Sequence, residues 1–273
     1  MIHLMLDGYD GSENRLDDLR SVNAVLNDLV SNLHLDAVMP PFLLPYYYAK
    51  DGEDDGISAF VILRGGHVTL HTFPRRGCVF ADLLYDGYAS EDRFTELIKT
   101  YFKLSNVKSL CTERRLFDAS VDADRVWNGL GSGDFGPHII ARVENVEVSF
   151  EQIFDMLDEM PGKINMLPIC RPYVVKSNGN PQYVSGVVLI AQSHIAFHYC
   201  VEEKTLFCDA FSCSFYKSEQ FLHYLTERFD NVEGTTLIRG SKHERRINSR
   251  QSRIREMSRW AENSAVKEKT DEL

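Results

Sequence analysis

The sequence predicts an α+β fold made of two tandem repeats, each an antiparallel sheet with helices on one face, which together form a pseudo-twofold αββα-like sandwich. The chain resembles itself at a fixed offset, since 127 residues separate His71 from His198 (198 − 71 = 127) and the same offset relates Ser58 to Ser185. Within each repeat, some segments have apolar residues at strand spacing and others at helical spacing. Strands and helices are therefore expected to separate into a sheet with helices on one face.

Each repeat is predicted to begin with a strand, "MIHLML" in the first and "PHIIARV" in the second, followed by a helix. Apolar residues at helical spacing mark this helix in the first repeat: Leu19, Val22, Leu26, Leu29, Val30 and Leu33. In the second repeat, Ser149 and Gln152 form a capping-box pattern at its start, and Pro161 is expected to end it.

Three strand-like runs come next, "VSGVVLIA", "HIAFHY" and "TLFCDAF" in the second repeat, and a second helix closes each unit. This closing helix has one apolar face in both repeats: Phe94, Leu97, Ile98, Tyr101 and Phe102 in the first, and Phe221, Leu222, Leu225 and Phe229 in the second. We therefore predict a first repeat at 1–117, a linker at 118–136, a second repeat at 137–240 and a tail at 241–273. The tail is basic, and it is either a solvated or weakly docked helix or a docking patch for an anionic partner.

The composition limits the class of function. The net charge of −10 and a pI near 5.4 argue against a general nucleic-acid-binding protein. No apolar run is long enough to span a membrane, and the N-terminus lacks the features of a signal peptide, so the final "KTDEL" is not expected to act as a retrieval signal. The six cysteines lack C-x-x-C spacing, which predicts neither a disulfide framework nor a zinc site. We expect a cytoplasmic protein that acts on a small molecule.

Three residues of the second repeat have side chains that can take part in catalysis. Ser193 begins a strand-like run, His198 lies within that run, and Cys213 follows the next run across a hairpin. Each of these residue types is common in turns and cores when it occurs alone. Together, however, they are predicted to lie near the same end of one sheet.

With these spacings the sequence resembles the S-adenosylmethionine decarboxylases, in particular the small prokaryotic members. His198 lies five residues after Ser193, and Cys213 lies twenty after it, as in that family. In the first repeat, the run "HTFP" from His71 matches the family's histidine segment more closely than the second repeat does. The resemblance covers most of residues 1–240.

The resemblance implies a proenzyme that cleaves itself between Gln192 and Ser193, after which Ser193 becomes a pyruvoyl group. The substrate amine would form a Schiff base with this group, and Cys213 would return a proton to the substrate carbon. The cofactor implied is thus the pyruvoyl group alone, with no metal and no pyridoxal phosphate.

Small members of the family form active sites from two subunits, and a tandem chain can supply both halves. The resemblance implies one complete composite site, with Ser193 and Cys213 from the second repeat and Ser58 and His71 from the first.

The other composite site is expected to be degenerate. It would join Gly66 and Asp86 of the first repeat with Ser185 and His198 of the second. Since glycine has no hydroxyl group, no pyruvoyl group can form there.

Three departures from the family pattern affect processing and substrate choice. Gln192 replaces the glutamate that usually precedes the cleavage serine. Arg75 replaces the glutamate that binds the ribose of the nucleoside, and the matching residue of the second repeat, Glu202, belongs to the degenerate site. Gly52 stands where an aromatic residue stacks on adenine, a role that Phe73 or one of Tyr46, Tyr47 and Tyr48 is a candidate to fill.

Arg75 leaves the substrate open, because a guanidinium pairs with a carboxylate but cannot accept hydroxyl hydrogens. It is either a substrate-binding residue or a solvated turn residue. The main hypothesis is an S-adenosylmethionine decarboxylase of polyamine (spermidine) biosynthesis. The alternatives are a pyruvoyl-dependent decarboxylase of ornithine, arginine or another amino acid, and a non-catalytic partner that regulates a decarboxylase. A monomer and a homodimer of the tandem chain are both compatible with the sequence.

Overall fold

The computed structural model of the protein describes residues 1–49, 52–115, 136–191, 193–212 and 218–240. The expected tail and nearly all of the expected linker lie outside these residues. The described residues form two six-stranded antiparallel sheets, one from each repeat. The two sheets have the same strand order, which confirms the predicted α+β fold of two similar halves.

The first sheet has the order β2-β3-β4-β5-β1-β6. Its strands are β1 (Ile2–Tyr9), β2 (Phe42–Tyr46), β3 (Gly56–Leu63), β4 (Gly66–Phe73), β5 (Cys78–Tyr85) and β6 (Asn106–Glu113). The second sheet has the order β12-β7-β11-β10-β9-β8. Its strands are β7 (Pro137–Val143), β8 (Tyr173–Lys176), β9 (Tyr183–Ile190), β10 (Ser193–Cys200), β11 (Thr205–Phe211) and β12 (Val232–Ile238).

Each sheet has two strands that the sequence pattern did not reveal. They are the edge strands β2 and β8, and the strands β6 and β12 that follow the closing helices. All four lie at sheet edges and are partly exposed, as in β6, where no residue is fully buried. A strand of this kind lacks the apolar run that marks a central strand, so periodicity alone does not identify it.

The α-helices of the described residues are the single turn α1 (Glu13–Leu16), α2 (Leu19–Asn32), α3 (Glu91–Phe102), α4 (Phe150–Lys163) and α5 (Ser218–Thr226). The capping box of α4 is confirmed, because the Ser149 side chain accepts from the Gln152 backbone N–H and the Gln152 side chain accepts from the Ser149 N–H. The prediction that Pro161 ends this helix is wrong, since α4 continues to Lys163. A proline in the last turn forfeits one N–H donor, and the ring of Pro161 is buried. Among the described helices, none is long and apolar enough to cross a membrane.

One face of each central strand packs against the helices of its own repeat, and the other face packs against the opposite sheet. In β1, Leu4 and Leu6 join the core under the helices of the first repeat, while Met5 packs against Ile140 and Leu237 of the second. Period-two alternation of this kind arises because successive side chains point to opposite faces of a strand. The molecule therefore has four layers, helix, sheet, sheet and helix, and the site lies in the layer between the sheets.

Candidate active site

The layer between the two sheets has apolar patches around a polar centre. One apolar patch joins Phe60 and Ile62 of the first sheet to Val187, Leu189 and Ala196 of the second. The polar side chains of the layer are all buried: His3, Asp7, Ser58, His67, Thr69, His71, Asp82, Arg114, His138, Ser185, His194, His198, Asp209 and Arg239. Buried polar groups in such number are found where they satisfy one another or serve a function.

Each repeat contains a serine–histidine pair on adjacent strands. Ser58 of β3 is directly opposite His71 of β4, and its Oγ lies 2.9 Å from Nδ1 of that histidine. Ser185 of β9 is opposite His198 of β10 at the same distance of 2.9 Å. The two pairs occupy equivalent positions, so the repeat extends to side-chain geometry.

The two repeats meet through their histidines. Nε2 of His71 lies 3.0 Å from Nδ1 of His194, and Nδ1 of His67 lies 2.8 Å from Nε2 of His198. The rings stack with centroid separations of 5.3 Å and 5.0 Å, respectively. The Ser58–His71 pair of the first repeat thus contacts the strand that begins at Ser193. The Ser185–His198 pair of the second repeat contacts the strand that begins at Gly66.

Burial sets the protonation of these groups. It lowers the pKa of His71 well below its ordinary value, and the neighbouring His194 lowers it further. Burial likewise lowers the pKa of His198 to about 3. Both imidazoles are therefore neutral near pH 7, and each ring can donate one hydrogen bond and accept another. For Asp209, burial favours a higher pKa, but hydrogen bonding to His138 and His194 outweighs it and holds the pKa well below its ordinary value.

The composite site that is expected to be complete lies only partly within the described residues. Ser193 is the first residue of β10 and is fully buried, next to the His194 that contacts His71. Gln192 and Cys213 lie outside the described residues. The structure thus brings the Ser58–His71 pair of one repeat to the start of the strand that carries Ser193.

The two expected substrate-binding residues differ in environment. Phe73 is fully buried and packs edge-on against Phe80, in an apolar patch that includes Phe211 of the second repeat. Arg75 is exposed in the 3-10 turn Pro74–Arg76, which follows β4. Its guanidinium lies beside Gly52, where a Cβ would be 2.7 Å from an Arg75 nitrogen. Phe73 is therefore part of the inter-sheet layer, and Arg75 lies at its edge.

The backbone closes the position at Gly66, which belongs to the composite site that is expected to be degenerate. Gly66 pairs with Tyr85 across β4 and β5, and a Cβ at this position would lie 1.9 Å from the carbonyl oxygen of Leu84. In the second repeat, the pairing of β10 with β11 begins one residue after Ser193, with His194 opposite Phe211. No side chain fits at Gly66 unless β5 moves, whereas Ser193 is accommodated.

Side chains also occupy the space around Asp86, in the same site that is expected to be degenerate. The Tyr183 hydroxyl donates a 2.6 Å hydrogen bond to Asp86, and Arg115 forms an ion pair with it at 2.8 Å. The Tyr183 ring fills the space beside Gly65, where a Cβ would be 2.6 Å from it. Glu202 lies in the turn between β10 and β11, where it accepts a hydrogen bond from the Gln182 backbone at 2.8 Å.

Sequence reasoning missed the two buried arginines that link the repeats. Arg239 follows β12 and binds Asp7 (2.8 Å) and Asp82 of the first repeat. Arg114 follows β6 and donates to the backbone oxygens of Ala141 and Cys208 in the second repeat, at 3.1 Å and 2.7 Å. No clear signal was present in the sequence, because both arginines follow strands, β6 and β12, that the sequence pattern did not reveal. Their burial depends on contacts that a sequence pattern does not reveal.

Comparison with known proteins places the chain in a family. The family model for S-adenosylmethionine decarboxylase matches residues 2–115 and 140–240, which together make up most of the chain. No curated protein matches the sequence. A search of solved structures finds the adenosylmethionine decarboxylase from Aquifex aeolicus VF5, with 22% identity over 41% of this chain and 97% of that one and a TM-score of 0.35.

A second structure, described as a "putative glycine cleavage system transcriptional repressor", has 10% identity over 88% of this chain and 97% of that one, with a TM-score of 0.22. Both structural likenesses are weak, so the assignment depends on the family model, which matches both repeats. The chain belongs to the S-adenosylmethionine decarboxylase family.

Proposed function

We propose that the protein is a self-processing, pyruvoyl-dependent S-adenosylmethionine decarboxylase with one working site per chain. The working site combines Ser193 and Cys213 of the second repeat with Ser58 and His71 of the first. The observation that carries the proposal is the 3.0 Å contact between His71 and His194, the residue after Ser193. It holds the serine–histidine pair of one repeat against the cleavage strand of the other.

The residues present fit a group formed from Ser193. This serine is buried at the start of a strand, where water is excluded from the ester that forms when its hydroxyl attacks the Gln192 carbonyl. His71 is neutral, and its Nδ1 lies 2.9 Å from the Ser58 hydroxyl, so this pair can relay a proton between its hydrogen-bonded groups. The pyruvoyl group supplies an electrophilic carbonyl that takes up electrons as carbon dioxide leaves.

The degenerate site supports the restriction to one working site. The backbone of Leu84 leaves no space for a side chain at Gly66, and Tyr183 and Arg115 bind the carboxylate of Asp86. The Ser185–His198 pair has the same geometry as Ser58–His71, but the equivalent of Ser193 on its side is Gly66, which has no hydroxyl group.

The test is the intact mass of the denatured protein, followed by decarboxylation assays. Wild-type protein is expected to split into a chain ending at Gln192 and a chain that begins with a pyruvoyl group. The Ser193→Ala variant is expected to stay whole. Ser185→Ala is the matched control and is expected to split normally. Well-folded wild-type protein that stays whole would refute self-processing and support a regulatory partner of another decarboxylase.

One observation favours a second candidate, a decarboxylase of another amino acid. Arg75 stands where the family binds ribose through a carboxylate, and its exposed guanidinium can pair with a substrate carboxylate instead. Assays with S-adenosylmethionine, ornithine and arginine distinguish the two. A preference for S-adenosylmethionine that is unchanged by Arg75→Ala would rule out this role for Arg75.

A further inference from the structure

Asp209 is a buried carboxylate that forms no ion pair with a lysine or arginine among the described residues. Five charged side chains are at most 1% exposed: Asp7, Asp82, Asp209, Arg114 and Arg239. Three are acidic and two are basic, so the set has one negative charge in excess. Arg239 forms ion pairs with both Asp7 and Asp82. The charge of Arg114 also acts on Asp209, but no lysine or arginine of the described residues lies within ion-pair distance of that carboxylate. A buried charge of this kind requires compensation.

Three imidazole nitrogens surround this carboxylate. Nε2 of His138 lies 3.0 Å from Oδ2 of Asp209, Nε2 of His194 lies 3.5 Å from it, and Nε2 of His67 lies 3.9 Å from it. Two buried atoms here have no hydrogen-bond partner within the described part of the chain, Nε2 of His67 and Oδ1 of Asp209. Two overlapping groups have the spacing of metal ligands, one with His3 and His138 and one with His67 and His194, and Asp209 is common to both.

Hydrogen bonding excludes the first of these groups. Arg114 lies 3.0 Å from Nδ1 of His3, and Arg239 lies 2.9 Å from Nδ1 of His138. A guanidinium only donates, so both Nδ1 atoms must accept, and the proton of each neutral ring is on Nε2. The Nε2 atoms of His3 and His138 therefore have no lone pair to offer a metal, and His138 donates to Asp209.

The second group is free to bind a metal. Nδ1 of His67 faces His198, and Nδ1 of His194 faces His71, and each of these outer imidazoles can accept a hydrogen bond. Without an ion, Nε2 of His194 can donate its proton to Asp209. An ion at this position takes the place of that proton, so that the ring proton lies on Nδ1 and both rings present an Nε2 lone pair. The outer rings then donate from their own Nδ1 atoms to Ser58 and Ser185. Metal-binding histidines are usually oriented by a hydrogen bond of this kind.

We propose that His67, His194 and Asp209 bind a divalent transition-metal ion of the zinc class between the two sheets. At metal–ligand distances of about 2.0–2.1 Å, ligand atoms around a tetrahedral zinc are about 3.3 Å apart. The separations of 3.5 Å and 3.9 Å are close to this value, so small side-chain movements complete the site. Two imidazoles and a carboxylate form a common zinc ligand set, with a further position for a non-protein ligand.

The ion would cross-link the repeats, because His67 comes from β4 of the first sheet and the other two ligands from β10 and β11 of the second. It would also fix the direction of two series of hydrogen bonds, one from His194 through His71 to Ser58 and one from His67 through His198 to Ser185. The proposal does not depend on decarboxylase activity. It differs from the expectation from the sequence, which contained no metal motif because the ligands lie on three separate strands.

The ligands are fully buried, so the ion is loaded during folding. The experiment expresses the full chain in medium containing zinc or cobalt and measures the metal content of the purified protein. Wild-type protein is expected to contain about one ion per chain. Asp209→Asn and His67→Gln are expected to lose it, whereas His223→Gln, at an exposed histidine of α5, is expected to retain it. The cobalt form is expected to show the visible absorption of a four-coordinate ion.

X-ray absorption of the zinc-loaded wild type identifies the metal ligands directly and does not depend on whether the variants fold. The spectrum is expected to show two imidazole ligands, oxygen and no sulfur. Wild-type protein that contains no metal, sulfur ligation, or a metal content unchanged in folded Asp209→Asn would each overturn the assignment. A rise in unfolding temperature with putrescine but not with metal would identify a diamine as the compensating cation and overturn it as well.

Discussion

Nε2 of His71 lies 3.0 Å from Nδ1 of His194, and this contact joins the Ser58–His71 pair of the first repeat to the strand that Ser193 begins. The equivalent contact joins His198 to His67, the residue after Gly66. The two composite sites therefore have equivalent serine–histidine pairs, and they differ in the residue that would react, Ser193 in one and Gly66 in the other. This contrast leads to the first two predictions.

Ser58→Ala and His71→Gln are expected to slow processing or decarboxylation by about 100-fold, in the lower part of the range for lost acid–base groups. The physical reason is that His71 loses its orientation in one variant and its basicity in the other. The rate of cleavage, followed by intact mass, and the release of carbon dioxide measure the effect. Ser185→Ala is the control at the equivalent position, and a loss as large as that of Ser58→Ala would contradict the assignment of the working site.

Gly66→Ser is not expected to restore a second cleavage site. Its Cβ would lie 1.9 Å from the Leu84 carbonyl oxygen, so β5 must shift, at a cost of about 1–3 kcal/mol in the free energy of unfolding. Urea unfolding measures the cost, and intact mass shows whether the chain is cut immediately before the substituted residue. Gly162→Ser is a suitable control, because nothing lies within 4 Å of a Cβ at that position. Efficient cleavage of the Gly66→Ser variant at this point would contradict the closed-backbone explanation.

Arg239→Met is expected to destabilise the protein more than Arg114→Met. Loss of Arg239 leaves Asp7 and Asp82 buried without their cation, which costs about 3–5 kcal/mol. Loss of Arg114 removes hydrogen bonds to two backbone oxygens, a cost of about 1–3 kcal/mol. Chemical denaturation of the two variants gives the comparison, and equal losses would show that the carboxylates are compensated in another way.

The ion pair at Asp86 is expected to make stability depend on pH in the acid range. Burial alone would raise the pKa of Asp86, but hydrogen bonds from Tyr183 and Arg115, together with the charges of Arg115 and the N-terminal amine, hold it below its ordinary value. A lowered pKa in the folded state stabilises the protein above the unfolded value, and this stabilisation is lost as the pH falls through the folded value. Asp86→Asn should therefore flatten the dependence of unfolding temperature on pH below about pH 4. An unchanged slope would contradict this contribution.

The sequence by itself determined the repeat, the fold class and most central elements. The offset between His71 and His198, the strand "PHIIARV" and the capping box at Ser149 are local patterns, and each has its expected structure. They could be predicted because alternation and capping depend on neighbouring residues in the chain. Edge strands such as β6 could not, since they have no continuous apolar face.

Only the tertiary structure decided which groups meet between the sheets. Arg114 and Arg239 lie 125 positions apart (239 − 114 = 125) and each follows the last strand of its repeat, yet Arg239 binds two carboxylates while Arg114 binds backbone oxygens. The contacts of His194 with His71, and of Tyr183 with Asp86, likewise join residues about 100 or more positions apart. Such contacts depend on how the two sheets face each other, because burial and distance across an interface are properties of the packed layers.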